Sequence, residues 1–281
     1  MKYIAVLLTV HNRKEKTLKC LSELYSQQLS KEYKLIIYLT NDGCTDGTPE
    51  AVKANFPDVI IVNGDGSLFW NRGMYKAWTV ASSDKDYDFY LWLNDDTFIY
   101  PDCVQRLLEN SKMHNDVGIV VGSTCAVGNK EKITYGGFSD KGLITDVLKP
   151  QPCNAINGNI VLISQAAYKV LGTNDPYFRH AAGDTDYGLR AKENGVPCFT
   201  GIGIFGECDL HEKPTAWMDP SQPFKKRWNN FLSPVGNNPF EFFYFKRKHY
   251  GLASACLTFM SNWIHFFFPW LWKKSYKNYG K

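Results

Sequence analysis

Two acids and an amide stand together at residues 94–96, directly after an apolar run. The triplet Asn94-Asp95-Asp96 follows residues 88–93, which are typical of a buried strand. Carboxylates at the end of a buried strand are costly unless a partner neutralises them. A divalent cation is the usual partner, and Mg²⁺ or Mn²⁺ is typically held by one or two carboxylates together with phosphate oxygens. The triplet therefore predicts a metal and diphosphate site, with an Asn/Asp turn as the alternative.

Another acidic loop, residues 41–48, follows the apolar run 35–40. Asp42 is placed to accept hydrogen bonds from a ribose or from the N–H of a base. Gly43 and Gly47 allow close approach and a positive φ. The loop is also typical of a tight turn in which Thr48 caps a helix. The two interpretations are compatible, because capping uses Thr48 and leaves Asp42 for a ligand.

Further along the chain, Asp184 begins a predicted helix that runs to Gly195. A carboxylate at a helix start is commonly an N-terminal cap, so the residue types alone leave a cap and a catalytic base as alternatives. His211 is likewise either a metal or diphosphate ligand or a structural histidine. The segment 157–159, Asn-Gly-Asn, precedes the apolar run 160–163, and its glycine would let the backbone approach the acceptor or the donor sugar.

The elements that must position these residues alternate in a βαβαβ order. Short buried strands are predicted at residues 3–9, 35–40, 59–62, 88–93 and 117–122. Helices are predicted at 48–55, 71–82 and 101–113, and apolar residues also recur at helical spacing between 18 and 28. This order implies a mostly parallel sheet with helices on both faces. Ligands bind beyond the carboxyl ends of such strands, where the polar loops begin.

The composition indicates a folded globular protein. The 281 residues are 44% hydrophobic and 21% charged, enough for one large α/β domain with an appendage or two small domains. The eight cysteines include no C-x-x-C pair, so we predict neither a zinc site nor a disulfide framework, and a reducing cytosol is the simpler interpretation. The opening run MKYIAVLLTV lacks a small-residue cleavage site, which favours a buried strand over a signal peptide.

The C-terminal region differs in charge from the rest of the chain. From Lys225 onward there are ten Lys/Arg and one acid, Glu241, whereas the preceding residues carry 22 bases and 27 acids. Such a tail suits nucleic acid, anionic lipid or an anionic substrate. Residues 251–272 are apolar and aromatic but barely long enough to span a bilayer. Attachment at the membrane interface, a true span and a helix packed on the catalytic domain are the three alternatives.

These motifs together resemble family 2 glycosyltransferases with the GT-A fold. The resemblance rests on the strand-one ending Thr9–Arg13, the loop 41–48 and the triplet 94–96. The segment 64–74, GDGSLFWNRGM, is similar to bacterial enzymes of surface-polysaccharide assembly, including rhamnosyltransferase-like members. The similarity covers roughly residues 3–215. It implies a GT-A catalytic domain over 1–221, with a nucleotide-sugar half (about 1–100) and an acceptor half (about 101–221), followed by a basic, aromatic, helical extension over 222–281.

The resemblance also implies a role for individual residues. Asp184 matches the catalytic base of the acceptor segment, and Asp186 and Arg190 match its supporting residues. Two positions depart from the family pattern, because Asn94 stands where many members have an acid and Gly183 replaces the first acid of the acceptor segment. The implied metal ligands are Asp96, Asp95 and His211. The implied nucleotide-binding residues are Thr9, His11, Asn12, Arg13, Asp42, Gly66 and Asn71.

The resemblance implies an inverting transferase that uses Mg²⁺ or Mn²⁺. The donor is a dTDP-, UDP- or GDP-sugar, and the acceptor is a hydroxyl of a glycan, for which a lipid-linked form is one option. The expected location is the cytoplasm, at the inner face of the cell membrane, with the tail contacting the membrane surface. A nucleotidyltransferase and a catalytically silent sugar- or lipid-binding scaffold are the alternatives. Nucleic acid is not an expected partner, because the apolar stretch of the tail fits lipid better than a solvated groove.

Overall fold

The computed structural model describes residues 1–210, 215–236 and 238–272. They form two compact units. The first comprises Met1–Pro176 and Gly183–Leu210, and the second comprises Tyr177–Ala182 and the described residues beyond His211. These bounds describe compact units and do not test the predicted division at residue 221 between a catalytic domain and an extension, which stays a prediction.

The first unit contains twelve strands and six α-helices in its described residues. The strands are β1 (Lys2–Val10), β2 (Tyr33–Asn41), β3 (Ile60–Asn63), β4 (Phe89–Leu93), β5 (Phe98–Ile99), β6 (Ile119–Ala126), β7 (Asn129–Tyr135), β8 (Gly137–Ser139), β9 (Gly142–Leu143), β10 (Ala155–Ile156), β11 (Ile160–Ser164) and β12 (Cys198–Glu207). The helices are α1 (Lys14–Tyr25), α2 (Thr48–Asn55), α3 (Phe69–Asp84), α4 (Cys103–Met113), α5 (Gln165–Leu171) and α6 (Gly183–Glu193).

The central sheet is mixed and contains a continuous parallel block. Within the described residues its order is β3-β2-β1-β4-β11-β6-β12-β5, with β7 paired to β6. Strands β3, β2, β1 and β4 run parallel to their neighbours in this block, whereas β11 is antiparallel to both β4 and β6. Strands β10, β8 and β9 form a small separate antiparallel sheet. The parallel block brings the carboxyl ends of its four strands to one edge.

Helices cover both faces of the central sheet. Successive side chains of a strand point to opposite faces. Ile4, Val6 and Leu8 of β1 accordingly pack in the layer that includes α1, α2 and α4, whereas Ala5 and Leu7 pack with α3, α5 and α6. A strand that is buried on both faces needs a continuous apolar run, as β1 has. The predicted α/β architecture is confirmed. It is a GT-A-like sheet flanked by helices and followed by a C-terminal helix with an aromatic cluster.

The second unit is built on the helix α8 (Pro239–Phe267). Asn238 caps its start by accepting hydrogen bonds from two backbone N–H groups of the first turn. Glu241 is buried and accepts a hydrogen bond from Arg179 Nε at 2.6 Å. Tyr244 stacks on Tyr177 with ring centroids 3.8 Å apart. These contacts tie the segment Tyr177–Ala182 to the first half of α8.

The second half of α8 follows a break at Gly251, whose φ of 85° is accessible to glycine at little cost. Beyond the break, Phe266 stacks on Phe231 of α7 (Phe224–Phe231), and Trp217 of the 3₁₀ helix Ala216–Met218 completes a small aromatic core. A second 3₁₀ helix covers Pro269–Trp272. No helix in the described part of the chain is both long and apolar enough to cross a membrane.

Candidate active site

The polar residues that follow β1, β2 and β4 touch one another at the carboxyl edge of the sheet. Arg13, after β1, donates hydrogen bonds from Nη1 to Asp95 and to Asp96, after β4. His11 Nδ1 lies 2.5 Å from the backbone oxygen of Asp42, after β2. Strands β2 and β4 flank β1 in the parallel block, so residues far apart in sequence meet at this edge. The edge is where a sheet of this type binds its ligands.

The buried carboxylate of Asp42 organises the loop that follows β3. Its Oδ1 accepts hydrogen bonds from the backbone N–H groups of Gly66 (2.8 Å) and Leu68 (3.2 Å), and its Oδ2 accepts one from Phe69 (2.9 Å). The backbone of Gly66 has a φ of 86°, and Gly43 packs against it so closely that a β-carbon on Gly43 would lie 2.8 Å from the α-carbon of Gly66. Asp42 therefore acts here on the shape of the loop.

Asn12 and Thr9 hold neighbouring parts of the same edge. Asn12 has a φ of 52°, and its Oδ1 accepts a hydrogen bond from the backbone N–H of Thr45 at 2.7 Å. Thr9, at the end of β1, lies against Gly73 of α3, where any β-carbon would overlap its hydroxyl. This edge of the sheet therefore brings together the predicted nucleotide-binding residues Thr9, at the end of β1, and His11, Asn12, Arg13, Asp42 and Gly66, on the loops.

Asp95 and Asp96 differ in how their oxygens are used. Asp95 is buried, and its two oxygens accept hydrogen bonds from Arg13 (3.1 Å) and from the hydroxyl of Thr17 (3.2 Å). Asp96 accepts one from Arg13 through Oδ2 at 2.8 Å. Burial raises the pKa of Asp95 to about 6, although the charge of Arg13 opposes the rise. Both carboxylates share one guanidinium, which partly neutralises them.

The described residues fit a divalent cation that is shared with a substrate, and not an ion held by protein alone. No group of three or more His, Cys, Asp and Glu side chains within the described ranges is arranged to hold a metal. Among the described residues, Oδ1 of Asp96 has no hydrogen-bond partner, whereas both oxygens of Asp95 have protein partners. Mg²⁺ commonly binds one or two carboxylates and completes its shell with phosphate oxygens and water. His211, the other predicted ligand, lies outside the described residues.

Asp184 lies in the first turn of α6, half-buried against the loop that precedes β11. Its Oδ2 accepts a hydrogen bond from the backbone N–H of Gly158 at 3.1 Å, and its Oδ1 accepts one from Thr185 at 2.8 Å. Burial raises the pKa of Asp184, and the hydrogen bonds from Thr185, Gly158 and Asn157 oppose the rise. The hydroxyl of Thr185 also donates to Oδ1, at 3.5 Å.

The predicted supporting residues of Asp184 form a buried ion pair that joins the first and second turns of α6. Arg190 Nε donates to Asp186 Oδ2 at 3.0 Å, and its other two nitrogens donate to the backbone oxygens of Leu171 and Thr173, each at 2.7 Å. Asp186 is fully buried. The pair therefore ties α6 to the end of α5, and its contacts are those of a scaffold for Asp184.

Asn71 is fully buried, and among the other predicted nucleotide-binding residues only Asp42 is also buried. Its Nδ2 donates to the backbone oxygen of Asp175 at 2.8 Å, and its Oδ1 accepts a hydrogen bond from Asn174 Nδ2 at 2.7 Å. These contacts favour a positioning role for Asn71 over direct contact with a nucleotide.

Three residues of the edge escape prediction from the sequence, namely Thr17, Trp70 and Asn174. Trp70 Nε1 donates to Asn94 Oδ1 at 2.6 Å, and its ring fills the space beside Gly158, where any β-carbon would overlap it. Trp70 thus touches both the triplet Asn94-Asp95-Asp96 and the loop that holds Asp184. An aromatic residue at a helix start resembles a core residue, so only its place in the segment 64–74 pointed toward the site.

A family model described as "Glycosyl transferase family 2" matches residues 5–171. The poly-beta-1,6-N-acetyl-D-glucosamine synthase of Staphylococcus aureus (strain COL) is 31% identical over 133 residues, which make up 46% of this chain and 30% of that protein. The chain therefore spans less than a third of the length of this curated relative.

Two solved structures are similar in fold. The mannosyltransferase PcManGT from Pyrobaculum calidifontis, in complex with GDP-Man and Mn²⁺, has a TM-score of 0.56 and 15% identity, covering 98% of this chain and 84% of that one. TarS 1-349 of S. aureus, in complex with UDP, has a TM-score of 0.55 and 13% identity, covering 88% and 71%. At these identities the likeness supports the GT-A-like fold.

Proposed function

The chain belongs to glycosyl transferase family 2, and we propose that it moves a sugar from a nucleotide-sugar to a glycan hydroxyl with inversion at the anomeric carbon. The observation that carries the proposal is the geometry of Asp184. Its carboxylate is held by Gly158 and Thr185, in contact with the loop on which Trp70 packs, and Trp70 in turn binds the metal triplet. A base and a leaving-group site are therefore linked through one side chain.

Asp184 acts as the general base in this proposal. It takes the proton of the acceptor hydroxyl while that oxygen forms a bond to the anomeric carbon. The bond between this carbon and the diphosphate oxygen breaks at the same time, and the electron pair leaves with the nucleoside diphosphate. General-base catalysis typically contributes ~10²–10⁴-fold to the rate. The supporting pair of Asp186 and Arg190 holds α6, and so the position of the base.

Arg13 and Asp96 serve the leaving diphosphate. Asp96 is the residue that would hold Mg²⁺ or Mn²⁺, with Asp95 anchoring Arg13 beside it. The ion would supply positive charge at the leaving oxygen. The PcManGT complex contains Mn²⁺ and GDP-Man, and the TarS complex contains UDP, which supports a nucleotide diphosphate as the ligand of this edge. The donor is a dTDP-, UDP- or GDP-sugar.

The acceptor belongs to surface-polysaccharide synthesis in this proposal, as the resemblance of segment 64–74 implies. We assign the second half of α8 to a membrane surface that carries the acceptor on a lipid. The observation behind this is a row of exposed apolar side chains on one face of the helix, Leu257, Met260, Ile264 and Phe267. The buried side chains Ala255, Asn262 and Phe266 lie on the opposite face.

A donor screen tests the proposed activity. Purified protein is incubated with Mn²⁺ or Mg²⁺ and a panel of UDP-, GDP- and dTDP-sugars, and release of nucleoside diphosphate is followed with and without EDTA. We expect metal-dependent release from one donor, and loss of that release in Asp184→Asn. Asp65→Asn is the matched control, because Asp65 is exposed and contacts Ser67 within its own loop. If no nucleotide binds in calorimetry, the chain is the silent scaffold.

A further inference from the structure

The hydrogen bond between Trp70 and Asn94 fixes the orientation of the Asn94 amide. Trp70 Nε1 and Asn94 Oδ1 are 2.6 Å apart. An indole N–H can only donate, so the atom that faces it must be the amide oxygen. The Nδ2 group of Asn94 therefore points away from Trp70. Within the described ranges Nδ2 has no hydrogen-bond partner. It is also not among the buried polar atoms that lack a partner, so it is accessible from outside the protein.

Neither partner can turn freely. The backbone of Asn94 is held on both sides, because its N–H donates to Asn159 at 3.1 Å and its oxygen accepts from Thr97 at 3.1 Å. The Trp70 ring meets Trp92 edge-on, with centroids 5.7 Å apart and planes at 86°. Gly158 leaves no room beside the ring for a β-carbon. The indole thus stays in place and imposes one orientation on the amide.

We propose that Trp70 orients Asn94 so that Nδ2 donates a hydrogen bond to a diphosphate oxygen of the donor. Asn94 then serves as an anion donor and not as an oxygen ligand for a cation. An N–H bound to an ionised oxygen makes one of the stronger hydrogen bonds found in proteins. This assignment rests on the proposed function, in which Asp96, two residues away, lies at the diphosphate. In this assignment Asn94 has a function of its own at the position where many family members have an acid.

Calorimetry with nucleoside diphosphates separates this role from metal binding. The nucleotide is the one of UDP, GDP and dTDP that the wild type binds most tightly, and each titration is run with EDTA and with Mn²⁺. We expect Asn94→Ala to weaken binding about 10-fold to 100-fold in EDTA, the range for a lost hydrogen bond to a charged group. Asn94→Asp weakens it further in EDTA, because the new charge repels the diphosphate, and regains affinity with Mn²⁺. Asn55→Ala, an exposed asparagine on α2, binds like the wild type.

Trp70→Phe keeps the ring and removes the indole N–H, so it tests positioning. We expect Trp70→Phe to lose less nucleotide affinity in EDTA than Asn94→Ala does. The double variant should lose no more affinity than Asn94→Ala alone, because Trp70 acts through Asn94. Unchanged binding by Asn94→Ala in EDTA overturns the inference. So does a loss confined to the nucleotide-sugar, which assigns Nδ2 to a sugar hydroxyl. Binding of none of the three nucleotides by the wild type overturns the proposed function itself.

Discussion

The side-chain oxygen of Asn71 occupies the space in which a β-carbon on Gly183 would stand. Asn71 is held in place by Asn174 and by the backbone of Asp175. The missing acid at position 183 is therefore matched by a side chain that reaches across from α3. The residue next to Gly183 is Asp184, so this packing also sets where α6 begins. Glycine at position 183 therefore has a steric reason in this chain.

Gly183→Ala tests this packing. Alanine favours a helix over glycine by about 1 kcal/mol, but overpacking a filled site costs about 1–3 kcal/mol. Because Asn71 is anchored, we expect the clash to prevail and the Tm to fall. Asn71→Ala also lowers the Tm, since it removes the hydrogen bonds that the Asn71 side chain makes with Asn174 and with the backbone oxygen of Asp175. Thermal unfolding of the double variant should show less than the sum of the two losses, and strict additivity would contradict the contact.

Asp42→Asn should disturb the loop at Gly66–Phe69. The carboxylate accepts three backbone N–H groups, and an amide would turn an NH₂ group toward at least one of them. An unsatisfied buried donor costs about 1–3 kcal/mol. We expect a lower Tm together with weaker binding of the nucleotide-sugar in calorimetry. Asp65→Asn, exposed in the same loop, should leave the Tm nearly unchanged. Equal effects of the two substitutions would refute the role of Asp42.

The pH dependence of the reaction should report the raised pKa of Asp184. A general base works in its ionised form, so kcat/KM rises with pH as the carboxyl loses its proton. Burial raises this pKa above the ordinary aspartate value of about 3.9. The acidic limb of the profile should therefore lie above that value. Tryptophan fluorescence at each pH verifies that the protein stays folded, and an acidic limb at or below the ordinary value would remove Asp184 as the base.

The sequence predicts the parallel block well because its strands are apolar runs that end in polar loops. Helix α2 begins at Thr48, and Pro49 marks the start as predicted. The predicted cap by Thr48 is wrong, because the N-cap position is Gly47 and the Thr48 hydroxyl donates to Asp46 Oδ1. Strand β12 was not predicted, because glycines interrupt its pattern and its pairing to β6 shifts register between Thr200 and Gly206. The use of Asp42 was not predictable either. Its partners lie 24–27 residues further along, and backbone N–H groups leave no mark in a sequence.

Arg13→Gln should make the stability of the protein depend on a divalent cation. Arg13 bonds both Asp95 and Asp96, and its removal leaves two buried carboxylates without a charge partner. Lost hydrogen bonds to charged groups cost about 1.5–3 kcal/mol, discounted here because Arg13 is partly exposed. We expect a lower Tm in EDTA and a larger gain with Mn²⁺ than in the wild type. Arg13→Lys keeps the charge, so its gain in Tm with Mn²⁺ should lie between those of the wild type and Arg13→Gln. Equal gains in Tm for the three proteins would contradict the prediction.

The exposed apolar face of α8 should bind anionic vesicles. Leu257 is 65% exposed there, and burying a leucine in an apolar environment is worth about 1.5–3 kcal/mol. The basic residues Lys246, Arg247 and Lys248 precede this half of the helix, and no acid follows Glu241 in the chain. Such a surface matches an anionic bilayer through both apolar burial and charge. We expect co-sedimentation of the full chain with vesicles that contain anionic lipid, weakening as salt rises.

Leu257→Glu should reduce this vesicle binding about tenfold or more, since the substitution removes apolar area and adds a repelled charge. Leu148→Glu is the matched control, because Leu148 is 86% exposed and lies in the first unit, so its variant should bind as the wild type does. Size-exclusion chromatography at several concentrations shows whether the same face pairs two copies of the chain instead. Attachment to a membrane surface would be contradicted if the two variants bound vesicles equally. It would also be contradicted if the wild type bound no lipid and formed a dimer that Leu257→Glu abolished.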